Sequence, residues 1–117
     1  MTGVDQEEYV ERVLSVAEQI PVGRVTTYGA IADAVGVGGP RQVGRVMSMY
    51  GGSVPWWRVV RATGGLPLCD DDAARARHLE EGTPFRPSGL VDMRTAMWIP
   101  GPTEGPPEGL PDSVGGF

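Results

Sequence analysis

Lysine is absent from this chain, and cysteine and histidine occur once each, as Cys69 and His78. A lone cysteine excludes an intramolecular disulfide and a cysteine metal cluster, and a single histidine gives a structural zinc site too few ligands. No apolar run approaches the ~20 residues of a membrane span. The first residues carry Asp5, Glu7, Glu8 and Glu11, the wrong charge for a signal or transit peptide. These absences lead us to expect a cytosolic protein without metal or cofactor. A length of 117 residues supports one domain with a modest core.

The formal net charge of −5 argues against nucleic acid if read globally. Its distribution reverses that reading. Between Gly23 and Arg61 stand Arg24, Arg41, Arg45, Arg58 and Arg61 against Asp33 alone, a local +4 that leaves −9 for the remainder. A phosphate backbone responds to the potential at the contact surface, and an acidic far side mainly suppresses promiscuous binding.

The apolar positions Tyr9, Val10, Val13, Leu14, Val16 and Ala17 recur at helical spacing and predict an amphipathic helix over 5–19, ended by Pro21 and Gly23. Val25 and Thr26 form a short extended link, and Thr27 caps a helix over 28–35. Gly36 stops it, Gly38-Gly39-Pro40 turns the chain, and Pro40 opens a third helix running to about Met49. Helix, glycine turn, helix is the helix-turn-helix pattern. Beyond Tyr50 the β-branched run Trp57 to Ala62, reversed at Thr63-Gly64-Gly65, predicts a hairpin ending near Leu68 that would serve as a wing. Asp70-Asp71-Asp72 then caps a helix over 71–80, closed by Gly82. The fold class expected is mainly α with a small β hairpin, a winged helix-turn-helix domain over 1–100. The Pro- and Gly-rich segment 101–117, with Pro102, Pro106, Pro107 and Pro111, cannot bury an apolar face and is expected to be a disordered tail.

Three stretches carry chemistry: Gly23 to Ala32, Pro40 to Met47, and Val54-Pro55-Trp56-Trp57-Arg58-Val59-Val60. In this order and spacing they resemble the O6-alkylguanine-DNA alkyltransferases, whose active-site motif reads Pro-Cys-His-Arg-Val-(Val/Ile). Trp56 stands in the cysteine's place and Trp57 in the histidine's. An indole is neither a nucleophile nor a general base near neutral pH, so the transfer reaction has no machinery here. The resemblance spans roughly Asp5 to Pro100. Phe85 to Trp98, with Gly89 and Val91, is similar to the alkyltransferase-like branch, whose members bind damaged DNA without repairing it.

That resemblance implies a role for each residue beside its plainer reading. Tyr28, alone, reads equally as a half-buried core tyrosine; the resemblance makes it press on the phosphate beside the target nucleotide, at a helix N-terminus that already favours phosphate. Arg41 would ordinarily be a solvated helix arginine, and by resemblance is the finger that fills the gap left by an extruded base. Thr27, Gln42, Gly44 and Arg45 complete the expected DNA surface, and the small residues around Arg41 suit approach to the minor groove. Arg45 and Arg24 fit either phosphate contacts or surface charges. Trp56, with Val54, Pro55, Arg58, Phe85 and Trp98, would line a lesion pocket. Trp57 is expected beneath it, and Arg58 to tie the third helix to the wing. The segment from Thr83 to Trp98 fits either a lid or a structural wrap.

Glu81 matches the glutamate of the transferases' relay but has no imidazole to polarise, which points to a structural role. Cys69 lies outside the motif beside three aspartates that oppose thiolate formation. The reading is a non-enzymatic, monomeric sensor whose partner is double-stranded DNA containing O6-alkylguanine. By resemblance it would hand the lesion to nucleotide excision repair. The alternative is a sequence-specific winged-helix regulator, disfavoured because the turn offers no groove-reading side chain beyond Gln42.

Overall fold

A computed structural model describes residues 6–67 and 71–101. Five helices, α1 (Gln6–Gln19), α2 (Tyr28–Val35), α3 (Pro40–Tyr50), α4 (Asp71–Glu81) and α5 (Met93–Ala96), accompany two strands, β1 (Thr26–Thr27) and β2 (Val59–Val60). The boundaries of α1 to α4 agree with the sequence pattern because the signals are local, whereas α5 falls in the segment Thr83 to Trp98, where that pattern predicts no helix. The Thr27 hydroxyl oxygen accepts the Ala30 N–H at 3.0 Å, and Gly36 closes α2 in the left-handed region. At the end of α4, Gly82 N–H reaches the Leu79 carbonyl and Thr83 N–H the His78 carbonyl, the paired bonds of a Schellman motif.

Among the described residues 57–67 the predicted hairpin does not form. Trp56–Arg58 is a turn of 3-10 helix, and β2 pairs in parallel with β1, Thr26 opposite Val59 and Thr27 opposite Val60. Arg61 to Gly65 is only a tight turn, closed by Gly64 N–H to the Arg61 carbonyl and Arg61 N–H to the Gly65 carbonyl. Val25 extends the sheet on its other side, bridging Met97 while its carbonyl accepts the Trp98 N–H. The expected cap at Asp70 and the tail from 102 onward lie outside the described residues.

Strand alternation divides the core. Val59 joins the helical cluster of Val13, Val16, Ile20, Ile31, Val35, Val43 and Val46, whereas Val60 faces a second cluster of Val25, Leu66, Ala74, Val91 and Ala96. The helix-turn-helix rests on the first cluster, and the tryptophans of the 3-10 turn pack on the second.

The turn between α2 and α3 is seated on α1. Gly38 has φ +76°, and a Cβ there would stand 2.6 Å from the Tyr9 hydroxyl, which is buried. Gly36 has φ +92° but open space around it. Gly36→Ala is therefore expected to cost only backbone strain, ~1 to 2 kcal/mol. Gly38→Ala adds the collision and should cost measurably more, read as a larger drop in urea midpoint. Equal costs would refute the seating of the turn on Tyr9.

Candidate nucleic-acid interface

Capping chemistry shapes the outward face of the helix-turn-helix. The Gln42 side-chain oxygen accepts the Gly39 N–H at 2.9 Å, locking the start of α3 and committing that oxygen to the fold. A Cβ on Gly29 would lie 3.8 Å from Pro40 Cγ, so the first turns of α2 and α3 converge. Tyr28, half-buried against the helical core, and Arg41, exposed, thus sit at the same end, beside two helix N-termini that favour anions. Arg45 follows one turn later, also exposed, and between them Gly44 has nothing within 4 Å of its Cβ direction. The face carries two guanidinium groups over a shallow backbone. Beside it, α1 and α3 bound a cleft of about 310 Å³ lined by Tyr9, Val10, Arg41, Arg45, Val46 and Tyr50.

The motif carrying the two tryptophans folds around a carboxylate. Glu81 at the end of α4 accepts the Trp57 indole N–H at 3.0 Å, Arg58 Nε at 3.0 Å and Nη2 at 2.6 Å, and the Gly23 N–H at 3.3 Å. The remaining Arg58 arm donates to the Ile20 carbonyl at 2.9 Å. Arg58 therefore ties α4 to the end of α1, not α3 to a wing, and the correction follows from the 3-10 turn, which aims it at Glu81. Burial alone would raise the Glu81 carboxyl, but the hydrogen bonds from Arg58, Trp57 and Gly23 outweigh it and hold the group below its ordinary 4.5. Arg77 and Arg58 both stack on the Trp57 ring, at 4.7 and 5.3 Å from its centre. Trp57, half-buried like Trp56, meets the Trp56 ring edge to face at 5.7 Å.

Trp56 remains half-buried on the second cluster, together with Phe85. Val54 and Trp98, grouped with them on sequence grounds, pack on the helical cluster instead, and Pro55 sits half-buried at the start of the 3-10 turn. The segment after α4 is anchored at several points. Arg75 stacks on Phe85 at 5.2 Å and donates to the Gly89 carbonyl, Phe85 bridges Val91, and Val91 N–H reaches the Gly64 carbonyl.

Two residues acquire roles that sequence reasoning did not assign. Arg24, left open between phosphate contact and surface charge, donates to the Ala96 and Met97 carbonyls at 2.9 and 2.6 Å and clamps the end of the domain to β1. His78 is fully buried, its Nε2 2.6 Å from the Trp57 carbonyl and its Nδ1 2.8 Å from the Thr83 hydroxyl. A carbonyl only accepts, so the proton resides on Nε2. Burial is the main cause holding its pKa below the ordinary 6.5. Its place three residues before Glu81, on the same helical face, was the available signal.

Residues 8–82 match the model of the 6-O-methylguanine DNA methyltransferase DNA-binding domain. The chain belongs to this family. It is 36% identical over 98 residues to a DNA base-flipping protein of Escherichia coli, covering 80% of this chain and 76% of that one. It is 32% identical over 105 residues to Alkyltransferase-like protein 1 of Schizosaccharomyces pombe, covering 80% and 97%. The crystal structure of S. pombe Atl1 in complex with damaged DNA containing O6-carboxymethylguanine superposes with a TM-score of 0.70 at 31% identity, over 81% of this chain and 98% of that one. Its resemblance to the alkyltransferase-like branch is thereby established, and with it the helix-turn-helix architecture.

Proposed function

We propose that this alkyltransferase-like chain is a non-enzymatic sensor of alkylated DNA. It binds duplex DNA through the minor groove, rotates O6-alkylguanine outward and holds it against Trp56. The observation that carries this reading is the Trp57–Glu81 hydrogen bond beside Trp56, which fills both reactive positions of the transferase motif with indole and leaves no base to generate a nucleophile. Arg41 and Arg45 are both exposed, which supports a reading in which they attract phosphate and Arg41 enters the duplex. Extruding a nucleotide costs a few kcal/mol and less when the base pairs poorly, as a guanine alkylated at O6 does. The names of the base-flipping and alkyltransferase-like relatives support the same reading. We further propose that the monomer acts in the cytosol and passes the marked lesion to nucleotide excision repair.

A titration against O6-methylguanine, larger O6-alkylguanine and undamaged duplexes at two salt concentrations tests the reading. Lesion duplexes should bind more tightly, and the protein's mass should be unchanged after incubation. Equal affinity for all three duplexes, or an added alkyl mass, would sink it.

A further inference from the structure

The Arg41–Arg45 face and its adjoining cleft fit an acidic, apolar-spaced peptide, and the chain itself carries one. Residues 102–117 contain Glu104, Glu108 and Asp112 at every fourth position, no cation, and the apolar residues Leu110, Val114 and Phe117. We propose that this segment docks on the outward face of α3, its carboxylates on Arg41 and Arg45 and its apolar residues in the α1–α3 cleft, competing with other polyanions for that surface.

Three observations converge on this occupant. The described chain leaves along α2, where Ile99 and Pro100 line a hollow together with Ala30, Asp33 and Ala34. Ala30 follows Gly29, which faces Pro40, so the exit is about one helix diameter, ~10 Å, from the start of α3. At most ~3.6 Å per residue, Glu104 can reach ~10 Å from Gly101, Glu108 ~25 Å and Asp112 ~40 Å, enough to span Arg41 and Arg45. Charge selects the orientation. Arg41 and Arg45 line the cleft at one side, while Glu7 and Glu11 border the adjoining hollow that shares Gln6, Val10 and Tyr50 with it. Carboxylates are thus drawn to the α3 side and repelled from the α1 side. Met49, 61% exposed, and Tyr50, 44% exposed, offer apolar surface between them. Tethering raises the local concentration of such a ligand to the millimolar range, so individually weak pairs suffice.

The test uses the full chain with Glu104→Gln, Glu108→Gln and Asp112→Asn combined. Without any DNA, backbone amide resonances of Tyr9, Arg41, Arg45 and Tyr50 should shift relative to the parent, and the difference should fade at high salt. Shifts confined to residues flanking the substitutions would overturn the docking. In the second arm, which alone rests on the DNA-binding reading, the variant should bind undamaged duplex about threefold or more tightly at low salt. A control with Glu18→Gln, Asp72→Asn and Glu80→Gln removes equal charge elsewhere. An equal gain from the control would attribute the effect to overall charge and overturn the competition. Cleft shifts without any change in duplex affinity would uphold the docking and count against this face as the DNA surface.

Discussion

Glu81→Ala is expected to lower the stability of the domain by about 3 kcal/mol, because it strands a guanidinium that is largely out of water. The Arg58 and Glu81 side chains are each only 12% exposed, and the carboxylate is the shared acceptor of Trp57, Arg58 and the Gly23 N–H. Urea denaturation would read the loss as a drop in midpoint. Removing both charges with Glu81→Gln and Arg58→Met should cost less than Glu81→Ala alone, since no orphaned cation remains. The acid limb gives a second signature. Glu81 is held below 4.5, so its contribution is present above that pH and is lost as pH falls through its lower folded value. His78, held below 6.5, likewise favours the folded state above 6.5 and surrenders that contribution as the medium becomes more acid. Stability should therefore decline in two stages on acidification. Glu81→Ala should abolish the lower stage and retain the upper; an unchanged lower stage would show that other carboxylates produce it.

Arg41→Ala should have the opposite profile. Its side chain is exposed at the start of α3, so the change should leave stability within ~0.5 kcal/mol. Binding to lesion duplex should weaken by at least ~1 kcal/mol, the scale of a lost stacking contact with a base. Arg24→Ala supplies the contrast, because that guanidinium serves the Ala96 and Met97 carbonyls: it should reduce stability first. Calorimetric titration beside thermal melts separates the two arginines. An Arg41→Ala protein that binds alkylated duplex as tightly as the parent would remove this residue from the interface.

What the sequence discloses here is whatever local chemistry decides. The caps at Thr27 and Gly36, the turn at Gly38-Gly39-Pro40 and the apolar rhythm of α1 each act within a few residues, and the helices follow them. The β-branched pair Val59-Val60 was read as half of a hairpin because its true partner, Thr26-Thr27, is remote in the chain. Gly64 and Gly65 do turn the chain where the sequence places a reversal. Their lack of a side chain also admits the Val91 backbone, where a Cβ on Gly64 would meet its carbonyl at 2.7 Å, and the Arg61 guanidinium, 2.5 Å from a Cβ on Gly65. Two adjacent tryptophans imply opposite faces only on an extended segment, and the 3-10 turn removes that premise. Arg24 and Arg58 show the same limit for charge, because a sequence displays a cation but not the carbonyl or carboxylate awaiting it.

The indole N–H that occupies Glu81 also makes a transferase-type relay hard to build at this motif by single substitutions. Replacing Trp56 with cysteine would add a thiol to a motif whose carboxylate is ion-paired and already serves three donors, with a bulky ring at Trp57 where a proton shuttle is needed. Replacing Trp57 as well would withdraw the ring on which Arg58 and Arg77 stack, loosening the scaffold around the new thiol. Each substitution is unproductive without the other, so a thiol and an imidazole would have to arrive together.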